Sequence, residues 1–338
     1  MVSRVYVESA VREHPRTREL LRRLRNRPVI DIEHYGEVFN PRAQNFRLQK
    51  KDPAVIIARK NQGQVLATPP GYGLGGDHNY YFSHMMNCVY DCRYCFLQGM
   101  YQSAHQVLFV NYEDFGADIE RIANRHPGQA VWFYSGYDCD SLANEPMTRF
   151  TEYFIPLLAG IDNAWLELRT KSTQVRGLLA REPVERVVTA FSFSDASSHA
   201  RLEHGVPSIE RRIDAMRRLQ EAGWPLGLRF DPVIYHPRYR DEFSALVARI
   251  FAVIDPQSIH SVSLGNFRLT RDHYRRVVRL YPEEPLFAQP MTLERGIVSY
   301  SREREAEMME FCETTLLQYI PTQAYQPCDW HGDRPAAD

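Results

Sequence analysis

Six apolar runs separated by helix-like segments constrain this chain more than any other feature. The runs fall at 79–84, 130–135, 164–169, 188–194, 226–231 and 258–265. Helix-like segments lie near 112–125, 147–159, 173–181, 208–222, 239–253 and 270–280. Strands alternating with helices pair in parallel, because each crossover helix returns the chain to the same end of the sheet. The clearest helix is Ser208 to Ala222. Ile209, Ile213, Met216 and Leu219 make one apolar stripe, Ser208 caps its start and Gly223 ends it. Six units are two short of a closed eight-fold barrel. The expected fold is therefore α/β, a partial TIM-like (β/α)6 barrel whose lateral gap suits a large substrate. Residues 303–318 read as a last amphipathic helix and 321–338 as a loose tail.

Ahead of this series, residues 1–60 read as a small basic α/β domain. Val5 to Val7 begin a strand, Pro15 opens a helix carrying Leu20, Leu21 and Leu24, and Val55 to Ala58 form a short buried strand. This segment carries 14 Lys/Arg against 7 Asp/Glu, and the remainder 27 against 35. The excess can face phosphates or be an arginine-rich solvated face. Residues 61–78 hold five glycines and two prolines, the composition of a linker. The expected barrel then spans 79–320. No apolar run reaches membrane-spanning length and no leader precedes the fold, so a cytoplasmic location without membrane attachment is expected.

Cys88, Cys92 and Cys95 stand as C-x3-C-x2-C directly after the first barrel strand. That is the end of the sheet where such barrels build active sites. Three thiolates this close can hold three irons of a [4Fe–4S] cluster. With no fourth cysteine nearby, one iron stays open to a small molecule. A zinc site would need a fourth ligand, and neither Asp91 nor His84 sits at ordinary zinc spacing. Clustered thiols in a six-cysteine chain fit metal ligation better than a disulfide framework. The spacing, followed by the aromatic Phe96, is the signature of the radical S-adenosylmethionine superfamily.

Several stretches together resemble the spore photoproduct lyase family, whose members reverse a UV-induced thymine–thymine cross-link in DNA. They are Cys92-Arg93-Tyr94-Cys95-Phe96-Leu97-Gln98, Val110-Asn111-Tyr112-Glu113-Asp114, Arg169-Thr170-Lys171, Phe191-Ser192, Leu202-Glu203-x-Gly205 and Ala222-Gly223-Trp224, with Val5-Tyr6-Val7-Glu8 near the start. The resemblance implies a radical S-adenosylmethionine barrel, a [4Fe–4S] cluster held by Cys88, Cys92 and Cys95, and S-adenosylmethionine on the open iron. It implies DNA with damaged pyrimidines as substrate and a small electron-donor protein of flavodoxin or ferredoxin type. An enzyme of the same architecture acting on a modified nucleotide, a tRNA base or a small metabolite is the alternative.

The resemblance also assigns residues. Lys171 matches a lysine that contacts the cofactor from a strand end, and Ser192 a serine near its ribose or carboxylate. Asp140 matches an acidic residue after the second strand, with Asp138 and Ser135 as competitors. Tyr94 matches a tyrosine that returns a hydrogen atom to the cofactor. Two departures stand out. Tyr137 occupies the position of the family's hydrogen-donating cysteine, with Cys139 two residues on, a spacing that keeps the same face of an extended segment. Phe96 replaces a relay tyrosine and has no phenolic hydrogen to give. Candidate phosphate partners are Arg22, Arg23, Arg25, Lys50, Lys51, Arg238 and Arg240.

Overall fold

The computed structural model describes residues 2–39, 41–69, 71–74 and 76–327. The chain opens with β1 (Val5–Glu8), α1 (Pro15–Arg23), β2 (Val29–Ile32), α2 (Gly36–Phe39), α3 (Phe46–Lys51) and β3 (Val55–Ala58). Pro15 stands in the first turn of α1, where its missing N–H costs nothing, and the His14 ring accepts from the Arg16 N–H at 3.2 Å. Next come β4 (Val65–Ala67), β5 (His78–Phe82), β6 (Met85–Met86), β7 (Asp91–Cys92) and β8 (Gln106–Phe109). A five-stranded sheet runs β2-β1-β3-β8-β6. Three of its strands come from the first 60 residues and two flank the cysteine loop; β3 and β8 are parallel, β6 and β8 antiparallel. Residues 61–78, expected as a linker, contribute β4, which pairs antiparallel with β5.

The rest of the chain alternates. It runs α4 (Tyr112–Ala123), β9 (Val131–Tyr134), α5 (Glu145–Thr148), α6 (Phe150–Ala159), β10 (Ala164–Thr170), α7 (Arg176–Leu179), β11 (Val187–Ser192), α8 (Ala196–Leu202), β12 (Glu203–His204), α9 (Ile209–Glu221), β13 (Leu226–Val233), α10 (Tyr239–Phe251) and β14 (Ile259–Asn266). The end carries β15 (Arg268–Thr270), α11 (Arg271–Leu280), β16 (Thr292–Glu294), β17 (Ile297–Ser299), α12 (Arg302–Leu316) and β18 (Tyr325–Pro327). The large sheet is ordered β18-β14-β13-β11-β10-β9-β5-β4. Its six inner strands, β5, β9, β10, β11, β13 and β14, are those expected from the apolar runs, and all pair in parallel. The edge strands β4 and β18 do not meet, so the sheet is an open partial barrel. Most of β9, β10 and β11 is fully buried, as a sheet covered on both faces requires.

Differences from expectation are local. The helix expected at 147–159 breaks into α5 and α6 at Arg149, whose φ of 47° lies in the left-handed region. The helix expected at 173–181 shortens to α7, because the Ser172 hydroxyl takes the Gln174 N–H and the segment turns before it coils. Of the expected tail, residues 321–327 are described and β18 extends the large sheet beyond β14; residues 328–338 lie outside the described residues.

Candidate active site

The C-terminal ends of the inner strands and the cysteine loop enclose a cavity of about 320 Å³. Its wall includes Cys88, Cys92, Cys95, Tyr94, Tyr137, Cys139, Asp140, Lys171 and Ser192. The cysteine loop is fixed from three sides. Asn87 adopts a left-handed φ of 66°, and its amide donates to the carbonyls of Ser103 and His105 at 2.7 Å each. β7 pairs antiparallel with β12, placing Cys92 opposite Glu203. From α3, the Lys50 ammonium donates to the Cys88 carbonyl at 2.6 Å, and the Gln49 amide oxygen accepts from Ser103 and Ala104.

Burial dominates the electrostatics of the thiols. It pushes Cys88 up to about 12, with Asp140 adding and Lys50 opposing. It raises Cys92 against the pull of Lys171, and raises Cys95 as well. Burial thus favours the protonated thiol, and a metal bound here would displace those protons. Among the described residues only Asp195, His236 and Glu242 bring three ligand atoms within 4.8 Å of one another. Cys88, Cys92 and Cys95 do not form such a group, so at least one pair of their Sγ atoms lies more than 4.8 Å apart. His84 is no fourth ligand: its ring packs 4.2 Å from Phe150, and burial alone drives its pKa down to about 3. Asp91 accepts from the Tyr281 hydroxyl at 2.8 Å.

Glu203 organises the floor beside the loop. It is buried, and its carboxylate accepts from Tyr94 Oη at 2.5 Å, Ser194 at 2.9 Å, the His199 ring at 2.8 Å and Arg212 at 3.1 Å, with Lys171 Nζ at 3.7 Å. Burial would raise its pKa, but Lys171 and the hydrogen bonds outweigh that and hold it well below the carboxylate range. Lys171 also lies 5.6 Å from the Tyr94 ring centre.

The acidic candidates separate. Asp140 lines the cavity, and four donors hold it: the N–H groups of Leu142, Ala143 and Lys171 and the Thr170 hydroxyl, at 2.6–3.0 Å. It clamps the loop after β9 to the end of β10. Asp138 is not on the cavity wall. It accepts from Ser83 at 2.5 Å and Tyr101 at 3.2 Å, and burial raises its pKa against Ser83 and Lys60. Ser135 is fully buried behind the wall, against Ser141 at 2.9 Å and the Glu167 carbonyl at 3.1 Å. Tyr137 does line the cavity. Its ring lies 4.3 Å from Tyr81, 5.4 Å from Tyr72 and 5.5 Å from Phe96, and its hydroxyl has no hydrogen-bond partner among the described residues. Cys139 is buried, with its thiol raised by burial and then by Cys88.

Sequence reasoning missed part of the wall. Asn266 closes β14 onto the cavity, and its buried Oδ1 has no hydrogen-bond partner among the described residues. Asp231 and Arg268 pair across the wall at 3.2 Å. Arg169 stands against Tyr72, held by Glu167, which also binds Arg229 at 2.8 Å. Burial would raise Glu167, but Arg229 and then Arg169 outweigh it and hold its pKa at about 2. The signal for these residues was weak, because paired charges at strand ends read as ordinary surface.

The profile of the spore photoproduct lyase family matches residues 75–322. The spore photoproduct lyase of Bacillus subtilis (strain 168) is 22% identical over 290 residues, covering 83% of each chain. That of Geobacillus sp. (strain Y412MC61) is 23% identical over 251 residues, 71% of this chain and 73% of its own. A solved spore photoproduct lyase double mutant with bound AdoMet and dinucleoside spore photoproduct superposes with a TM-score of 0.85 at 19% identity, covering 96% and 98% of the two chains.

Proposed function

The chain belongs to the spore photoproduct lyase family, and from that premise we propose that it is a radical S-adenosylmethionine enzyme that reverses a thymine–thymine photoproduct in DNA. One observation carries the reading. Cys88, Cys92, Cys95 and Asn266, whose Oδ1 has no partner among the described residues, face a single cavity of about 320 Å³, within the usual range for a small-molecule cofactor. Cys88, Cys92 and Cys95 would hold a [4Fe–4S] cluster, and its open iron would take the cofactor's amine and carboxylate. When bound, cluster and S-adenosylmethionine supply a 5′-deoxyadenosyl radical that takes a hydrogen atom from the substrate.

The protein's own groups bind, orient and shield. Lys171, already turned toward Glu203, offers its ammonium to the methionine carboxylate. Ser192 Oγ and Asn266 Oδ1 provide polar contacts for the ribose and adenine. Asp140, with its lone pairs largely filled, acts by placing Lys171 rather than by taking the amine directly. Tyr94 donates its O–H to Glu203, so its phenolic hydrogen is engaged by that carboxylate. Tyr137 and Cys139 are better placed as hydrogen-atom donors, each with its hydrogen retained by a raised pKa on the cavity wall.

Anaerobic reconstitution with iron and sulfide tests the proposal, using S-adenosylmethionine, dithionite and deuterated dinucleoside spore photoproduct. The expected products are deuterated 5′-deoxyadenosine and the repaired dinucleotide. Cofactor cleavage with an untouched photoproduct would move the chain to another substrate, which the departures at Tyr137 and Phe96 make the second reading. No cleavage at all would overturn the radical reading itself.

A further inference from the structure

The Glu203 side chain is completely buried and lies behind the cavity wall, yet Tyr94 and Lys171, which it faces, both line the cavity. Its oxygens are already occupied. Oε1 accepts from Tyr94 Oη at 2.5 Å and Ser194 Oγ at 2.9 Å, and Oε2 takes the His199 ring at 2.8 Å and Arg212 Nη2 at 3.1 Å. An ionised carboxylate has about four lone-pair sites, so these donors fill it. Lys171 Nζ stands 3.7 Å from Oε1, within Coulomb reach but beyond an N–H···O bond. The carboxylate therefore attracts the ammonium and leaves its N–H donors for the cavity. On the other side, Arg212 is also completely buried and donates to the carbonyl of Ser192, a second wall residue, at 2.6 Å. Glu203 is thus the anion between the two cations.

From this geometry we propose that Glu203 is a positioning residue for the cofactor's carboxylate, acting through Lys171. It holds the ammonium at the wall by charge, and its filled lone pairs keep it from capturing the ammonium. The proposal rests on the S-adenosylmethionine reading above. Two substitutions disturb the arrangement in opposite ways. Glutamine at 203 can still accept from Tyr94, but it leaves Lys171 and Arg212 as neighbouring cations with no counter-charge, and the flexible lysine turns away. Alanine at 194 frees one lone pair of Oε1, and Lys171 closes the 3.7 Å gap and spends a donor on Glu203.

The test measures S-adenosylmethionine affinity by anaerobic equilibrium dialysis on the cluster-loaded full chain. The variants are Glu203→Gln and Ser194→Ala, each made with Lys171 present and with Lys171→Ala. With lysine in place, Glu203→Gln should weaken binding by about ten-fold or more, the weight of one charge-assisted hydrogen bond, and Ser194→Ala by less. With alanine at 171 neither change should matter, because a residue that acts through a partner has no effect once the partner is gone. Ser194→Ala removes only a hydroxyl, so it carries the test even if the buried charge change costs the fold. An unchanged affinity in Ser194→Ala would overturn the proposal. So would a loss as large with alanine at 171 as with lysine, which is how a glutamate that merely holds the loop would behave. A wild-type chain that loads its cluster but binds no S-adenosylmethionine sinks the proposed function as well; wild-type binding that Glu203→Gln leaves untouched sinks the positioning role alone.

Discussion

Replacing Glu167 with glutamine keeps the shape of the side chain and removes its charge. Glu167 and Arg229 are both fully buried, and Arg169 adds a second guanidinium at 2.9 Å. The folded pKa of about 2 against an ordinary 4.5 corresponds to about 3 kcal/mol of stabilisation, at about 1.4 kcal/mol per pKa unit. The cost of stranding one member of a buried pair, about 3–5 kcal/mol, agrees. With an unfolding entropy of about 2.1 cal/mol/K per residue, 338 residues convert about 3 kcal/mol into a fall in Tm of about 4 °C. The sign with pH follows from the lowered pKa. The carboxylate's contribution is complete above pH 4.5 and fades as pH falls toward 2. Glu167→Gln should therefore be destabilised by about 3 kcal/mol at pH 7, with the gap narrowing to about 2 kcal/mol at pH 3.5 by the same linkage. Urea unfolding of both proteins across that range measures it. A gap that stays constant or widens as pH falls would refute the assignment of the stability to this carboxylate.

Alanine at Cys88, Cys92 or Cys95 should abolish cluster assembly, read as iron and sulfide content after reconstitution; a full complement in any of the three would remove that residue from the ligand set. Lys171→Ala should weaken S-adenosylmethionine binding by about 1.5–3 kcal/mol, or roughly ten- to a hundred-fold, as expected for a lost charge-assisted hydrogen bond. Calorimetry that finds equal affinity would place Lys171 outside the cofactor contacts. Tyr137→Phe and Cys139→Ala should both still release 5′-deoxyadenosine. Whichever is the hydrogen-atom donor will change the product distribution seen by mass spectrometry, and unchanged products from both would exclude the pair.

The six inner strands were legible because a sheet covered on both faces demands continuous apolar runs, such as Val187 to Phe191. The short strands β4 and β16 were not, because exposed hairpin residues such as Leu66 and Leu293 carry no comparable signal. At the site, spacing singled out the three cysteines and the family resemblance singled out Lys171 and Ser192, and all five line one cavity. Spacing could not decide among Ser135, Asp138 and Asp140. All three sit in one turn, and only the donors around it, Thr170 and the Lys171 N–H from the next strand, select the one that lines the wall. Lys50 read only as a candidate phosphate partner, because the Cys88 carbonyl it binds is 38 positions away. Asn266 carried no motif at all.

The partnership of β3 with β8 has a consequence for synthesis on the ribosome. The first 60 residues emerge with three strands and an unfilled slot beside Val55–Ala58, and that slot is closed only by Gln106–Phe109. Between them lies the whole cysteine segment, so Cys88, Cys92 and Cys95 must leave the tunnel before the opening module can finish folding. A stalled or truncated product ending before residue 106 would therefore expose a bare sheet edge at β3 that is prone to aggregation.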